Sequence, residues 1–325
     1  MPIPPLRVTI GTLVLPNPVL AAAGTFGYGV EFARAAQLAR LGGLITKTLT
    51  RLPREGHPPP RLVETPSGML NAVGLQNIGL AAFLEEKLPP LRAIDVPLIV
   101  SILGESPEEA AELTRQLDRA DGVDAIELNL SCPNVHHRHT AHSTQHTEDR
   151  QWVAMVAQDA QLSAQFVHAA RQATKKPIIA KLSPDVTDLR PIAQAAEAAG
   201  ADALTLSNTY VGMSLDPATR RSRLSTLTGG LSGPAIRPLS LYRVWYTAAS
   251  IRVPIIGLGG IARAEDAIEY LLAGASAVAV GTANFANPRA AIGVVRGIEH
   301  YMHRHRLNSL KELRGTHIPK ATEDA

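Results

Sequence analysis

The sequence holds one cysteine, Cys132, in 325 residues. That excludes a disulfide framework and points to a reducing compartment. It also excludes an iron–sulfur cluster held by this chain alone, since such clusters need several thiolates. No uninterrupted apolar run reaches the length of about 18 residues that a membrane span requires. The N-terminal stretch MPIPPLRVTIG lacks the apolar segment of a signal peptide. Basic residues do not gather into a run, and the net charge of +3 is mild for this length. Neither nucleic acid nor a membrane is therefore expected as a partner. The expectation is a soluble, cytoplasmic protein.

What the chain does have is enough apolar residue, 45% of the total, for a large core. Short aliphatic runs recur at PVLAAA (18–23), GGLITKT (42–48), PLIVSIL (97–103), DAIELNL (124–130), PIIAKL (177–182), ALTLSN (203–208), PIIGLG (254–259) and AVAVGT (277–282). Ala/Leu-rich stretches with helical spacing separate them, several ending in glycine, as in AAEAAGAD and LLAGAS. The runs are mostly apolar rather than alternating, as in parallel strands covered on both faces. Eight strands joined by helices predict an α/β fold, a (β/α)8 TIM barrel. The segment RVTIGTLVLPNPV reads as an N-terminal β-hairpin that closes the bottom of the barrel. Two connections, 49–96 and 131–176, are too long for plain strand-to-helix loops, so they are expected to be long active-site loops. No linker divides the chain. One domain is expected over 1–325, with its core at about 7–300 and a C-terminal helical tail at 301–325.

A barrel builds its site from the C-terminal ends of its strands. Those ends read Ala23-Gly24, Lys47-Thr48, Ser101, Asn129 with Cys132, Lys181, Asn208-Thr209, Gly259-Gly260 and Gly281-Thr282. The stretch PIIGLGGIA matches a G-x-G-x-x-A dinucleotide fingerprint. The next strand, however, ends in Gly281-Thr282 and not in the acidic residue that would hold a ribose. Glycines at the ends of the last two strands fit a barrel phosphate site better, one that takes a phosphorylated cofactor. The segment ETPSGMLNAVGLQN (64–77) reads as a polar loop in which Asn71 can both donate and accept hydrogen bonds.

Nine stretches in order carry a specific likeness: GTFGYG, KTLT, RLVETPSGMLNAVGLQNIG, ELNLSCPN, KLSP, NTYVGM, TGGLSGPAI, GLGGI and VAVGTANF. Together they resemble class 1 dihydroorotate dehydrogenase over about residues 7 to 290, most closely the type B, NAD-linked catalytic subunit. The resemblance implies oxidation of dihydroorotate to orotate in pyrimidine biosynthesis, with FMN as cofactor. Carried over position by position, it implies FMN contacts at Ala23, Gly24, Lys47, Thr48, Ser101, Asn129, Lys181, Ser207, Gly233, Gly259, Gly260, Gly281 and Thr282. It implies substrate contacts at Lys47, Asn71, Ala72, Val73, Gly74, Leu75, Asn129, Asn208 and Thr209. It makes Cys132 the catalytic base, which takes a proton from C5 of the substrate while a hydride leaves C6. It further implies a homodimer and a partner subunit that carries FAD and a 2Fe–2S cluster.

Ala23 stands where the family usually has serine, and Ser101 where it has asparagine. After SCPN the family's Gly-rich lid is replaced by HHRHTAHSTQHTEDRQW, with His136, His137, His139, His142 and His146. No cysteine beside them and no H-E-x-x-H pattern supports a metal site, so no metal is expected. A solvated lid is the expected reading, and a histidine that accepts the Cys132 proton is a second one. The alternatives to dihydroorotate oxidation are a flavin oxidoreductase acting on another dihydropyrimidine and a non-redox phosphate-binding barrel.

Overall fold

The computed structural model describes residues 6–131 and 156–315. Strands β1 (Val8–Ile10) and β2 (Leu13–Leu15) pair antiparallel around Gly11, whose φ of +55° suits the tight turn. They are followed by β3 (Val19–Ala21) and β4 (Gly43–Ile45). A second hairpin, β5 (Leu62–Thr65) and β6 (Gly68–Asn71), precedes β7 (Leu98–Ile102), β8 (Ala125–Asn129), β9 (Ile178–Leu182) and β10 (Ala203–Leu206). Short strands β11 (Tyr210–Gly212), β12 (Leu215–Asp216), β13 (Arg221–Ser222) and β14 (Gly229–Ser232) come next. The last two are β15 (Ile255–Leu258) and β16 (Ala277–Val280).

Eight of these strands close a parallel barrel in the order β3, β4, β7, β8, β9, β10, β15, β16 and back to β3. They are the eight runs marked in the sequence. Helices cover the outside, among them Pro107–Asp118, Ala160–Ala173, Arg237–Ala248, Ala264–Leu272 and Ala290–Arg304. Local chemistry starts them cleanly. Ser106 accepts from the Glu109 amide at 3.2 Å ahead of Pro107, and Asp159 accepts from the Leu162 amide at 2.9 Å. Outward residues of the strands, such as Val100, Ile102, Ile126 and Leu128, pack on the buried faces of these helices. Each such aliphatic side chain contributes about 1.5–3 kcal/mol by leaving water. The boundary at residue 300 falls inside the helix Ala290–Arg304, and Leu310 and Leu313 beyond it are buried in the same core.

The bottom of the barrel is sealed as the sequence suggested. Ile10, Leu13 and Leu15 of the hairpin join inward-facing Leu20, Ile45, Ile99, Ala125, Ile179, Ala203, Ile256 and Ala277 in one buried cluster. At the other end stands a four-stranded antiparallel sheet in the order β11, β14, β6, β5. Six of the fourteen residues of 64–77, expected as a loop, are therefore strand, with Leu62 to Thr65 paired against Gly68 to Asn71. The turn residues Pro66-Ser67 made the polar reading plausible, yet they serve to reverse a hairpin. Gly230 in β14 shows why the sheet can sit so close to the barrel: a Cβ there would lie 2.1 Å from Thr209 Oγ1. Among the described residues, no helix is long and apolar enough to cross a membrane.

Candidate active site

Strand parity decides what faces the barrel axis. Two residues above the apolar layer, the inward positions turn polar: Ser101 follows Ile99, Glu127 follows Ala125, Lys181 follows Ile179 and Thr205 follows Ala203. Ser101, Glu127 and Thr205 are fully buried. Their polar atoms satisfy one another: Ser101 Oγ donates to Glu127 Oε1 at 3.0 Å, and Thr205 Oγ1 donates to Glu127 Oε2 at 3.3 Å.

Above this tier opens a cavity of about 1230 Å³, counting its solvent-open part. Lys47, Thr48, Asn129, Lys181, Asn208 and Thr209 line it from the strand ends, and Met69, Asn71 and Ser232 line it from the antiparallel sheet. No acidic side chain is among the described lining residues. Lys181 is only 4% exposed, and its ammonium has no hydrogen-bond or ion-pair partner among the described residues. A buried ammonium without a partner is costly in a closed protein. Facing a cavity, it is a place for an anion.

The far wall is glycine. Gly259 and Gly260 have φ of +135° and +68°, and Gly260 packs so tightly that a Cβ would lie 2.8 Å from the Arg237 amide nitrogen. Tyr270, itself buried, donates its hydroxyl to the Gly259 carbonyl at 2.7 Å and so pins the turn from behind. Burial holds that phenol far above its usual range. Gly281 completes the wall, and with no side chains in the way a phosphate can approach the backbone.

The asparagines are held as firmly as the glycines. Asn129 Nδ2 donates to Thr48 Oγ1 at 3.0 Å, while its Oδ1 accepts from Ser131 Oγ at 3.2 Å. Asn208 Oδ1 accepts from the Thr209 amide at 2.8 Å. Asn71 Nδ2 donates to the Gly230 carbonyl at 3.1 Å, tying β6 to β14. Asn77, under the same wall, donates to the Leu75 carbonyl at 2.8 Å and to Thr50 Oγ1 at 2.9 Å. Leu75 is thereby held at a φ of +56° on the cavity edge. Asp185 accepts from the Val211 amide at 3.3 and 3.2 Å, which fixes β11 over the loop after β9. Burial raises the Asp185 carboxyl above its usual range, against smaller downward pulls from the Val211 amide and Arg243.

The structure brings Ala23, Gly24, Lys47, Thr48, Asn71, Val73, Gly74, Leu75, Asn129, Lys181, Asn208, Thr209, Gly233, Gly259, Gly260, Gly281 and Thr282 to this one cavity. Three expected residues are not on its surface. Ala72 is buried against Leu70 and Leu224, because it alternates with Asn71 and Val73. Ser101 lies one tier below, where it reaches the cavity only through a 3.0 Å hydrogen bond to Thr48. Ser207 is fully buried and shares its hydroxyl with Ser240 at 3.1 Å. Cys132 and the five histidines that follow it lie outside the described residues. Met69, Ile261 and Phe285 also line the wall, apolar residues with no chemical signature of their own in the sequence. Glu127 lies beneath it, and its strand parity with Asn129 is the signal for it in the sequence.

Residues 5–302 match the family model described as dihydroorotate dehydrogenase. The "Dihydroorotate dehydrogenase B (NAD(+)), catalytic subunit" of Trichlorobacter lovleyi is 48% identical over 299 residues, which is 92% of this chain and 94% of that protein. The protein of the same name from Geotalea daltonii is 48% identical over 312 residues, 96% of this chain and 98% of the relative. That of Thermodesulfovibrio yellowstonii is 44% identical over 313 residues, 96% and 99% of the two chains. The match takes in all eight barrel strands and every residue of the cavity wall, and the chain belongs to the dihydroorotate dehydrogenase family.

Proposed function

We propose that this chain is the catalytic subunit of an NAD-linked dihydroorotate dehydrogenase, a single cytoplasmic domain that binds FMN and oxidises dihydroorotate to orotate. The observation that carries the reading is the pair Lys47 and Lys181 on one cavity with no carboxylate among its described lining residues. Both ligands are anionic, one a phosphate and the other a carboxylate, so two ammonium groups complement them.

The residues present fit the cofactor. Gly259, Gly260, Gly281 and Thr282 would take its phosphate, and Gly24, Thr48, Asn129 and Lys181 would hold its ring system. When bound, FMN would supply the acceptor for the hydride that leaves C6 of the substrate. Lys47 complements the substrate carboxylate, and Asn71, Asn129 and Asn208 offer the amide donors and acceptors that a pyrimidine edge requires. An analogue that left these amides unpaired would be rejected strongly. Val73, Gly74, Leu75 and Thr209 shape the rest of the substrate's seat. Cys132, the residue after Ser131, takes the C5 proton as its thiolate. An ordinary thiol has a pKa of about 8.5, so the rate of this step rises toward alkaline pH.

Electrons bound for NAD would require a second subunit carrying FAD and a 2Fe–2S cluster, since one cysteine cannot hold such a cluster here. We expect the catalytic chain to form a homodimer within that assembly. The test is anaerobic: protein reconstituted with FMN is mixed with dihydroorotate and its flavin absorbance followed. Bleaching by dihydroorotate supports the reading. Bleaching by dihydrouracil alone would transfer it to a dihydropyrimidine without a carboxylate, and failure to take up FMN would end it.

A further inference from the structure

We propose that Glu127, buried below the cavity, is a positioning residue that sets the direction of every hydrogen bond in a chain leading to the substrate-facing amides. The inference rests on the dihydroorotate reading for its chemistry, but its geometry stands alone. Glu127 is fully buried inside the barrel and is absent from the cavity surface. Apolar inward positions fill the layer beneath it, and its carboxyl oxygens take the hydroxyls of Ser101 and Thr205.

Both Glu127 oxygens accept, Oε1 from Ser101 Oγ and Oε2 from Thr205 Oγ1. Ser101 Oγ therefore gives its one proton to Glu127 Oε1, at 3.0 Å. With that proton committed, Ser101 Oγ can only accept from Thr48 Oγ1, also at 3.0 Å. Thr48 Oγ1 in turn must accept, and it does so from Asn129 Nδ2 at 3.0 Å. The Asn129 amide is thus oriented with Oδ1 toward Ser131, whose hydroxyl donates to it at 3.2 Å and whose backbone amide donates at 3.4 Å. Ser131 Oγ, its proton spent, accepts from Asn208 Nδ2 at 2.8 Å. Asn208 Oδ1 then faces the Thr209 amide at 2.8 Å. One accepting group under the floor fixes five side chains in a single sense.

Reversal of any link would turn Asn129 or Asn208 over and present a donor where the substrate needs an acceptor. A wrong donor–acceptor match at a reacting site leaves polar groups unpaired, an effect on the order of tenfold for each hydrogen bond. The carboxylate's second oxygen, held by Thr205 at 3.3 Å, keeps the acceptor aimed at Ser101.

The test compares FMN-loaded Ser101→Ala, Glu127→Leu, their double variant and Glu127→Gln with the unaltered protein. Anaerobic flavin reduction by dihydroorotate, orotate affinity, flavin content and melting temperature are measured for each. Ser101→Ala and Glu127→Leu should each slow reduction about tenfold or more at unchanged flavin content. The double variant should be within about twofold of the slower single one, because both cut the same chain. Glu127→Gln, which keeps one acceptor for Ser101, should recover most of the rate. Effects that multiply in the double variant would overturn the proposal, as would a Glu127→Leu protein with the unaltered rate. If Glu127→Leu does not fold, Ser101→Ala decides alone, and a rate within twofold of the unaltered protein overturns it. An unaltered protein that dihydroorotate cannot reduce would instead overturn the functional reading, and this assignment with it.

Discussion

Asn208 Nδ2 donates to both Ser131 Oγ, at 2.8 Å, and the Ser131 carbonyl, at 3.1 Å. The two residues follow β10 and β8, which are not neighbours in the barrel, so this contact bridges across β9 at the cavity floor. Ser131 precedes Cys132, and Asn208 is therefore a brace for the chain that delivers the proposed base. Asn208→Ala removes both donors. Two hydrogen bonds of about 0.5–1.5 kcal/mol each correspond to a loss of roughly 5- to 150-fold in flavin reduction, with orotate binding weakened in parallel and FMN retained. Stopped-flow reduction under anaerobic conditions measures it, and an unchanged rate would remove Asn208 from the site.

Lys181 gives a prediction with two opposite signs. It is 4% exposed and its ammonium is without a partner among the described residues, so in the empty protein its charge is a burden. Lys181→Met preserves length and removes the charge. The FMN-free variant should melt no lower than the FMN-free parent. FMN affinity should nevertheless fall by about 10- to 150-fold, the worth of a charge-assisted hydrogen bond of roughly 1.5–3 kcal/mol. Differential scanning fluorimetry and flavin titration read the two quantities. Loss of stability with FMN affinity intact would mean that Lys181 serves the barrel and not the cofactor.

Much of this arrangement was legible in the sequence because a barrel places its chemistry at strand ends. The runs ending in Lys47-Thr48, Asn129, Asn208-Thr209 and Gly281-Thr282 converge as expected. What could not be read was depth. Ser101 and Asn129 both sit near strand ends, yet the first is one tier below the second, a difference set by barrel stagger. Ser207 is set back for another reason: its hydroxyl is held by Ser240, thirty-three residues away on the helix Arg237–Ala248. Ala72 is turned from the cavity by parity, since a strand leading through Asn71 sends the next side chain to the other face. Glu127 shares its strand face with Asn129, but an acidic residue in an apolar strand becomes a floor only once eight strands have closed around it.

Cys132→Ala should leave FMN binding near that of the parent, since the thiol is asked only to carry a proton. Flavin reduction should slow by about 10²–10⁴-fold, the usual worth of a general base. The parent's reduction rate should climb with pH as the thiol ionises, and the variant's residual rate should lose that climb. Rates for both proteins from pH 6 to pH 10 provide the measurement. A variant that keeps the parent's pH profile would show that another group takes the C5 proton, and the histidines at 136–146 would be the next residues to replace.

The last prediction concerns stability and not turnover. Burial is the leading influence on Asp185 and raises its pKa, outweighing the Val211 amide and the Arg243 charge that pull it down. A carboxyl whose folded pKa lies above its unfolded one is bound to its proton more tightly in the folded state. Its contribution to stability is complete below the unfolded pKa and is lost as pH rises through the folded one. The side-chain amide introduced by Asp185→Asn cannot ionise, and it still offers an oxygen to the Val211 amide, which Asp185 holds at 3.2 Å. The variant should therefore melt above the parent at pH 8, and the gap should narrow as pH falls through the raised pKa and close once both states of the parent are protonated. Melting curves of the two proteins across pH 4 to pH 8 decide the matter. A variant less stable than its parent at pH 8 would mean that the ionised group's bonds to Val211 and its attraction to Arg243 outweigh the cost of its burial.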